Sequence, residues 1–93
     1  MAKFVIKKDG EKEPFDAKKI KASIKAAALE VNLPKRRVKE VVKQVLSAAV
    51  QLAGKKEEIA TTEIREKILS ELDTLEPSVS EAWKKREQEK GRA

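Results

Sequence analysis

Residues 4–20 read FVIKKDGEKEPFDAKKI, and the fold turns on how this stretch is read. Phe4 and Ile6 alternate with Val5 and Lys7, the two-residue period of a half-buried strand. Asp9-Gly10 follows, a pair tolerant of positive φ and a strong hairpin signal. Lys12 to Phe15 then returns beside the first strand. Pro14 has no N–H to donate, which confines that return to a sheet edge or a strand end. So small a ribbon is not stable alone, and its Phe4 and Ile6 face is expected to lie buried on helices. Asp16 is the expected N-cap of the first helix, its carboxylate accepting from a free backbone N–H. Lys7 and Lys8 on the turn and Lys19 in the first helical turn then gather beside a helix N-terminus, a candidate anion site. The alternative is that they are solvated members of a lysine-rich surface.

Outward from this stretch, a first helix is expected from Ala17 to Val31, with Ile20, Ile24, Ala27, Ala28 and Val31 on one face and Lys18, Lys21 and Lys25 opposite. The alanines at 26–28 permit close approach of another helix. Asn32-Leu33-Pro34 breaks the pattern, because Pro34 disfavours the helical region for Leu33. A second helix is predicted from Lys35 to Ala53, with Val38, Val41, Val42, Val45, Leu46, Ala49 and Leu52 as its stripe and Gly54 as its stop. Residues 55–60 read as a loop holding a short extended piece, a third strand beside the hairpin. Thr61 or Thr62 is the expected cap of a third helix carrying Glu63 in its first turn and lined by Ile64, Ile68, Leu72 and Leu75. Glu76-Pro77-Ser78 makes another break, with Ser78 a capping candidate. The last helix has only Val79, Ala82 and Trp83 as apolar residues. Trp83 reads as the anchor that docks it, with base stacking as the alternative. The charged tail KKREQEKGRA is expected to be solvated helix that frays. The whole is an α+β domain over residues 1–83, an N-terminal hairpin and a short third strand capping a four-helix bundle, followed by a charged helix end or tail at 84–93.

Composition narrows the chemistry. With 93 residues the chain has room for one domain with a thin core. Neither cysteine nor histidine occurs, which removes disulfides, thiolate metal sites, the cysteine nucleophile and the commonest general base. Glycines at 10, 54 and 91 have no phosphate-loop spacing, and Glu57-Glu58 has no metal-loop spacing. An enzyme is therefore not expected, and no catalytic or metal-ligating residue is assigned. The net charge of +6 favours polyanionic partners. No apolar run approaches the length of a bilayer span, and the N-terminus lacks the apolar core of a signal peptide; a soluble cytoplasmic protein without membrane association is expected. In the basic tail Glu81, Glu87 and Glu89 interrupt the cations and aromatic interleaving is missing, which favours at most a non-specific phosphate contact.

Four segments taken in order carry a resemblance: V-I-K-K-D-G at 5–10, E-P-F-D at 13–16, K-I at 19–20 and I-A-T-T-E-I at 59–64. Each is weak alone. Together, at matching separations, they closely resemble the ATP-cone, the small regulatory nucleotide-binding domain of ribonucleotide reductases and of the zinc-ribbon repressor of reductase genes. The resemblance spans about residues 3 to 83. It implies a helical bundle capped by a three-stranded sheet, with ATP or dATP bound between sheet and helices. Carried over, Val5 and Ile20 would pack on adenine, Lys7, Lys8 and Lys19 would hold the phosphates, Glu13 and Asp16 would lie near base or ribose, and Thr61 would offer its hydroxyl. Lys8 stands where the family usually has arginine, an exchange that keeps charge and loses planar, bidentate recognition. Mg²⁺ is expected to accompany the phosphates, held mainly by them and by water. No reductase barrel and no zinc-ribbon cysteines occur in the 93 residues, so the expectation is a stand-alone regulatory or sensor module acting through self-association or a partner protein. Two rivals are a basic helical nucleic-acid binder on the same scaffold and an adaptor that has lost its ligand.

Overall fold

The computed structural model describes residues 4–90. Strands β1 (Phe4–Ile6) and β2 (Lys12–Pro14) precede helices α1 (Ala17–Glu30) and α2 (Lys35–Ala53). Strand β3 (Glu58–Ala60) then leads into α3 (Thr61–Leu75) and α4 (Pro77–Lys90). The α+β architecture expected from the sequence is the one found. The sheet has the order β2-β1-β3, β1 running antiparallel to β2 and parallel to β3. Pro14 ends an edge strand, where its missing N–H costs no ladder bond.

Register decides which face of this sheet is buried. Val5 stands opposite both Glu13 and Ile59, and side chains in register share a face. Ile59 is 1% exposed while Phe4 is 40% exposed. The face turned to the helices is therefore that of Val5, not that of Phe4 and Ile6. The period was legible but its phase was not, because the phase is set by Ile59, a residue far along the chain. On the outer face Lys12 and Glu58 bridge across β1 at 2.6 Å. The hairpin closes through Lys7 N–H donating to Glu11 O at 2.8 Å and Gly10 N–H to Lys7 O at 2.9 Å. Gly10 alone in that loop takes positive φ, +86°; Asp9 contributes its carboxylate, which accepts from Glu11 N–H at 3.0 Å. This is a three-residue loop with glycine at the left-handed position.

The four helices pack in a ring, α1 on α2, α2 on α3, α3 on α4 and α4 on α1. Ile24, Ala27 and Ala28 of α1 meet Val41, Val45 and Ala49 of α2 in a fully buried core. Asp16 caps α1 as expected, accepting from Lys18 N–H at 2.9 Å. Asn32 terminates it with φ +60°, Asn32 N–H donating to Leu29 O and Leu33 N–H to Ala28 O, a Schellman closure. Arg37 ties α2 to the α3–α4 corner through Glu76 at 3.0 Å and the Leu75 carbonyl at 2.9 Å. Trp83 is 2% exposed and donates from Nε1 to Ser23 Oγ at 3.1 Å, docking α4 on α1. Residues 84–90 of the tail expected to fray continue α4 without a break; its last residues, 91–93, lie outside the described residues.

Two capping expectations are corrected. Neither Thr61 nor Thr62 caps α3: β3 runs directly into it, extended Ala60 is the N-cap, and Thr61 is already helical. Ser78 lies inside α4, which starts at Pro77, since proline's fixed φ and missing N–H suit a first helical position. Gly54 is the C-cap that ends α2, as expected, although it stays right-handed at φ −64° and does not use its conformational freedom.

Glu63 supplies what the threonines do not. Its carboxylate meets Lys56 Nζ at 2.8 Å, and the Ala60 amide also favours its charged form. The Lys56 hydrogen bond and charge hold its pKa below the ordinary carboxylate value. A depressed folded pKa stabilises the fold at neutral pH, and that contribution disappears as acid titrates the carboxylate. Glu63→Gln should therefore flatten the loss of thermal stability below pH about 4. Melts of both proteins across pH that keep the same acid slope would show the junction does not depend on this charge.

Candidate functional site

The inner face of the sheet, the first turns of α1, the beginning of α3 and the middle of α4 enclose a cleft of about 230 Å³. Its floor follows from the register and from helical spacing. Val5 projects inward from the central strand, Ile20 lies in the first turns of α1, and Ile64 and Ile68 stack one turn apart on α3. Trp83 closes the back. The polar lining comes from Glu13, Asp16, Lys19, Ser23, Thr61, Arg65 and Glu87.

Thr61 and Arg65 are also one turn apart on α3, so they point the same way. Thr61 does not cap the helix, so its hydroxyl is not committed to the helix end. Arg65 Nε is buried and has no hydrogen-bond partner, an uncommon state for a buried donor. Neither Arg65 nor Lys19 takes part in an ion pair among the described residues. The carboxylates are largely engaged: Glu13 bonds Lys7 Nζ at 2.7 Å and Asp16 caps α1. Glu13's hydrogen bond and charge push the Lys7 pKa above the ordinary lysine value. Two uncommitted cations thus border an apolar slot whose acids are mostly occupied.

Six of the eight residues named from sequence line this cleft: Val5, Glu13, Asp16, Lys19, Ile20 and Thr61. Lys7 and Lys8 do not line it. Lys7 is held at the rim by Glu13; Lys8 lies exposed in the hairpin loop. Of the three lysines, Lys19 alone lines the cleft. Sequence reasoning missed Arg65, although it sits four residues after Thr61, the spacing that places both on one helical face. Ile64 and Ile68 were assigned only to the core, and Glu87 only to a solvated tail.

An apolar slot with flanking cations suits a flat heterocycle carrying an anionic group. Among the described residues no three acidic side chains gather as a metal site, and no helix is long and apolar enough to cross a membrane.

Comparison with known proteins agrees with this geometry. Residues 3–87 match the ATP cone domain family. The transcriptional repressor NrdR of Treponema denticola is 36% identical over 72 residues, 77% of this chain and 48% of that protein. The chain thus spans about half the length of the curated relative it matches.

Proposed function

This chain belongs to the ATP-cone family of nucleotide-binding regulatory domains, and we propose that it binds ATP or dATP in the cleft between sheet and helices as a regulatory or sensor module. The observation that carries the reading is the unpartnered Arg65 Nε beside Lys19 and Thr61, at the edge of an apolar slot. Adenine packs between Val5 and Ile20, against Ile64 and Ile68. Glu13 and Asp16 border the base or ribose. The cleft is smaller than the roughly 300–1,000 Å³ usual for ligand pockets, so the base and sugar enter it and the phosphates stay at its mouth. There Arg65, Lys19 and the N-terminal end of α3 with the Thr61 hydroxyl meet the anion, aided by the helix dipole. Lys7 and Lys8 approach from the hairpin, Lys7 exchanging its Glu13 partner for phosphate. A divalent ion such as Mg²⁺ would be carried by the phosphates and water.

The ligand touches β1, α1 and α3 together and so stabilises the sheet on the helices by mass action. That coupling makes the module a sensor, whose state passes to the surroundings through self-association or a partner protein. Calorimetry with ATP, dATP and GTP tests the reading. The adenine nucleotides should bind with Kd below about 1 mM, and GTP more weakly, because an apolar slot leaves its extra polar groups unpaired. Failure of both adenine nucleotides to bind at millimolar concentration overturns the proposal.

A further inference from the structure

A second concavity, of about 820 Å³, lies between α1 and α2 and shares no lining residue with the nucleotide cleft. Its apolar floor includes Val38, Val42, Leu46 and Val50, recurring every four residues along α2, with Leu29 of α1 beside them at 50% exposure. Lys21 and Lys25 border it from α1, and Lys35, Lys39 and Lys43 from α2. No acidic side chain contributes to the lining. None of these five lysines takes part in an ion pair among the described residues, whereas Lys7, Lys12, Lys56 and Lys67 each hold a carboxylate. The chain carries 16 acidic residues, so this segregation is not for want of them.

We propose that the groove docks an amphipathic helix of a partner protein, with an apolar seam flanked on both sides by Asp or Glu. Charge complementarity selects that occupant. A second copy joined through the same face would bring two unpaired lysine sets together, which like-charge repulsion opposes. Duplex phosphates would satisfy the lysines but leave Leu29 and the valine stripe against a polar backbone. A flat lipid surface would not fill the recess between two helices. Val38 to Val50 rises about 18 Å, the length of about three turns of a docked helix whose anchors recur at i, i+4 and i+7. Lys25 lies roughly 140° around α1 from Ile20, so this surface and the nucleotide cleft use different sides of that helix.

The test uses the full chain and a labelled synthetic peptide of about 16 residues, with leucines at the seam and glutamates on the flanks. Companion probes are the same peptide with lysine replacing glutamate, phosphatidylglycerol vesicles, and a DNA duplex. The acidic peptide should bind saturably, and its amide-shift footprint should fall on the facing sides of α1 and α2. Lys25→Glu/Lys39→Glu/Lys43→Glu should weaken it by at least about tenfold, with the circular dichroism spectrum and ATP affinity unchanged. Should the triple variant misfold, Leu29→Ser, at an exposed site, should weaken binding by about threefold or more. The inference is overturned if the acidic peptide fails to saturate at millimolar concentration, if the lysine peptide binds equally well, if vesicles or duplex bind more tightly, or if the variants bind as the parent does. Retained ATP affinity keeps these outcomes separate from those that bear on the nucleotide cleft.

Discussion

Replacing Arg65 by methionine should weaken ATP binding roughly 10- to 100-fold while leaving the melting temperature unchanged or raised. The two effects come from one side chain. In the free protein the buried Nε has no acceptor, a state that costs the folded chain about 1–3 kcal/mol. Methionine spans much of the same volume without a polar group, so its introduction removes that cost. In the complex the guanidinium would gain charge-assisted bonds to phosphate, worth about 1.5–3 kcal/mol, and their loss sets the fall in affinity. Arg65→Lys keeps the charge without the fork geometry and should fall between the two. A second substitution, Lys19→Ala, acts on the same anion from α1, so the pair should be non-additive. Calorimetry and thermal melts of the three variants read both effects. Parental ATP affinity in the methionine variant would remove Arg65 from the site, and a lowered melting temperature would mean its Nε is satisfied after all.

Much of the fold could be read in the chain because its signals are local. The Asp9-Gly10 turn, the Asp16 cap, the Asn32-Leu33-Pro34 break and the apolar stripe of α2 each follow from a few neighbouring residues, and each is found. The errors share the opposite property. Which face of β1 is buried depends on Ile59, some fifty positions away and paired in parallel; alternation fixes a period and leaves its phase to the partner strand. The threonine cap fails because β3 runs directly into α3, a junction invisible until the third strand is placed in the sheet. In the site, Val5, Ile20 and Thr61 come together because the elements that carry them were correctly ordered. Arg65 escaped notice because one arginine among 22 basic residues has no distinguishing mark in sequence. Only the burial of its Nε singles it out, and burial is a property of the packed molecule.

Trp83→Ala should cost about 3–5 kcal/mol, the range for emptying a large aromatic site in a core. A domain of this size has total stability of roughly 5–14 kcal/mol, so the variant should melt at least about 12 °C lower. Packing accounts for most of this. Trp83 and Val79 are among the few apolar residues of α4 and both are buried, so α4 has little else to hold it to the bundle. The hydrogen bond accounts for less: Ser23 Oγ also donates to the Ile20 carbonyl at 2.8 Å, so removing the indole costs that hydroxyl only one of its two bonds. Trp83→Phe should accordingly lower stability by a smaller amount than the alanine variant, through the lost hydrogen bond and some lost packing. A near-parental melting temperature for the alanine variant would mean that α4 is held by something other than its tryptophan. The same side chain lines the back of the nucleotide cleft, so its fluorescence should change when ATP enters. Ligand at 100 times Kd stabilises a fold by about 2.7 kcal/mol, enough to restore much of what Trp83→Ala loses if the cleft survives. A variant that ATP rescues separates docking of α4 from ligand contact; one that stays unrescued in saturating ATP would show that the anchor of the bundle is also part of the wall that the nucleotide needs.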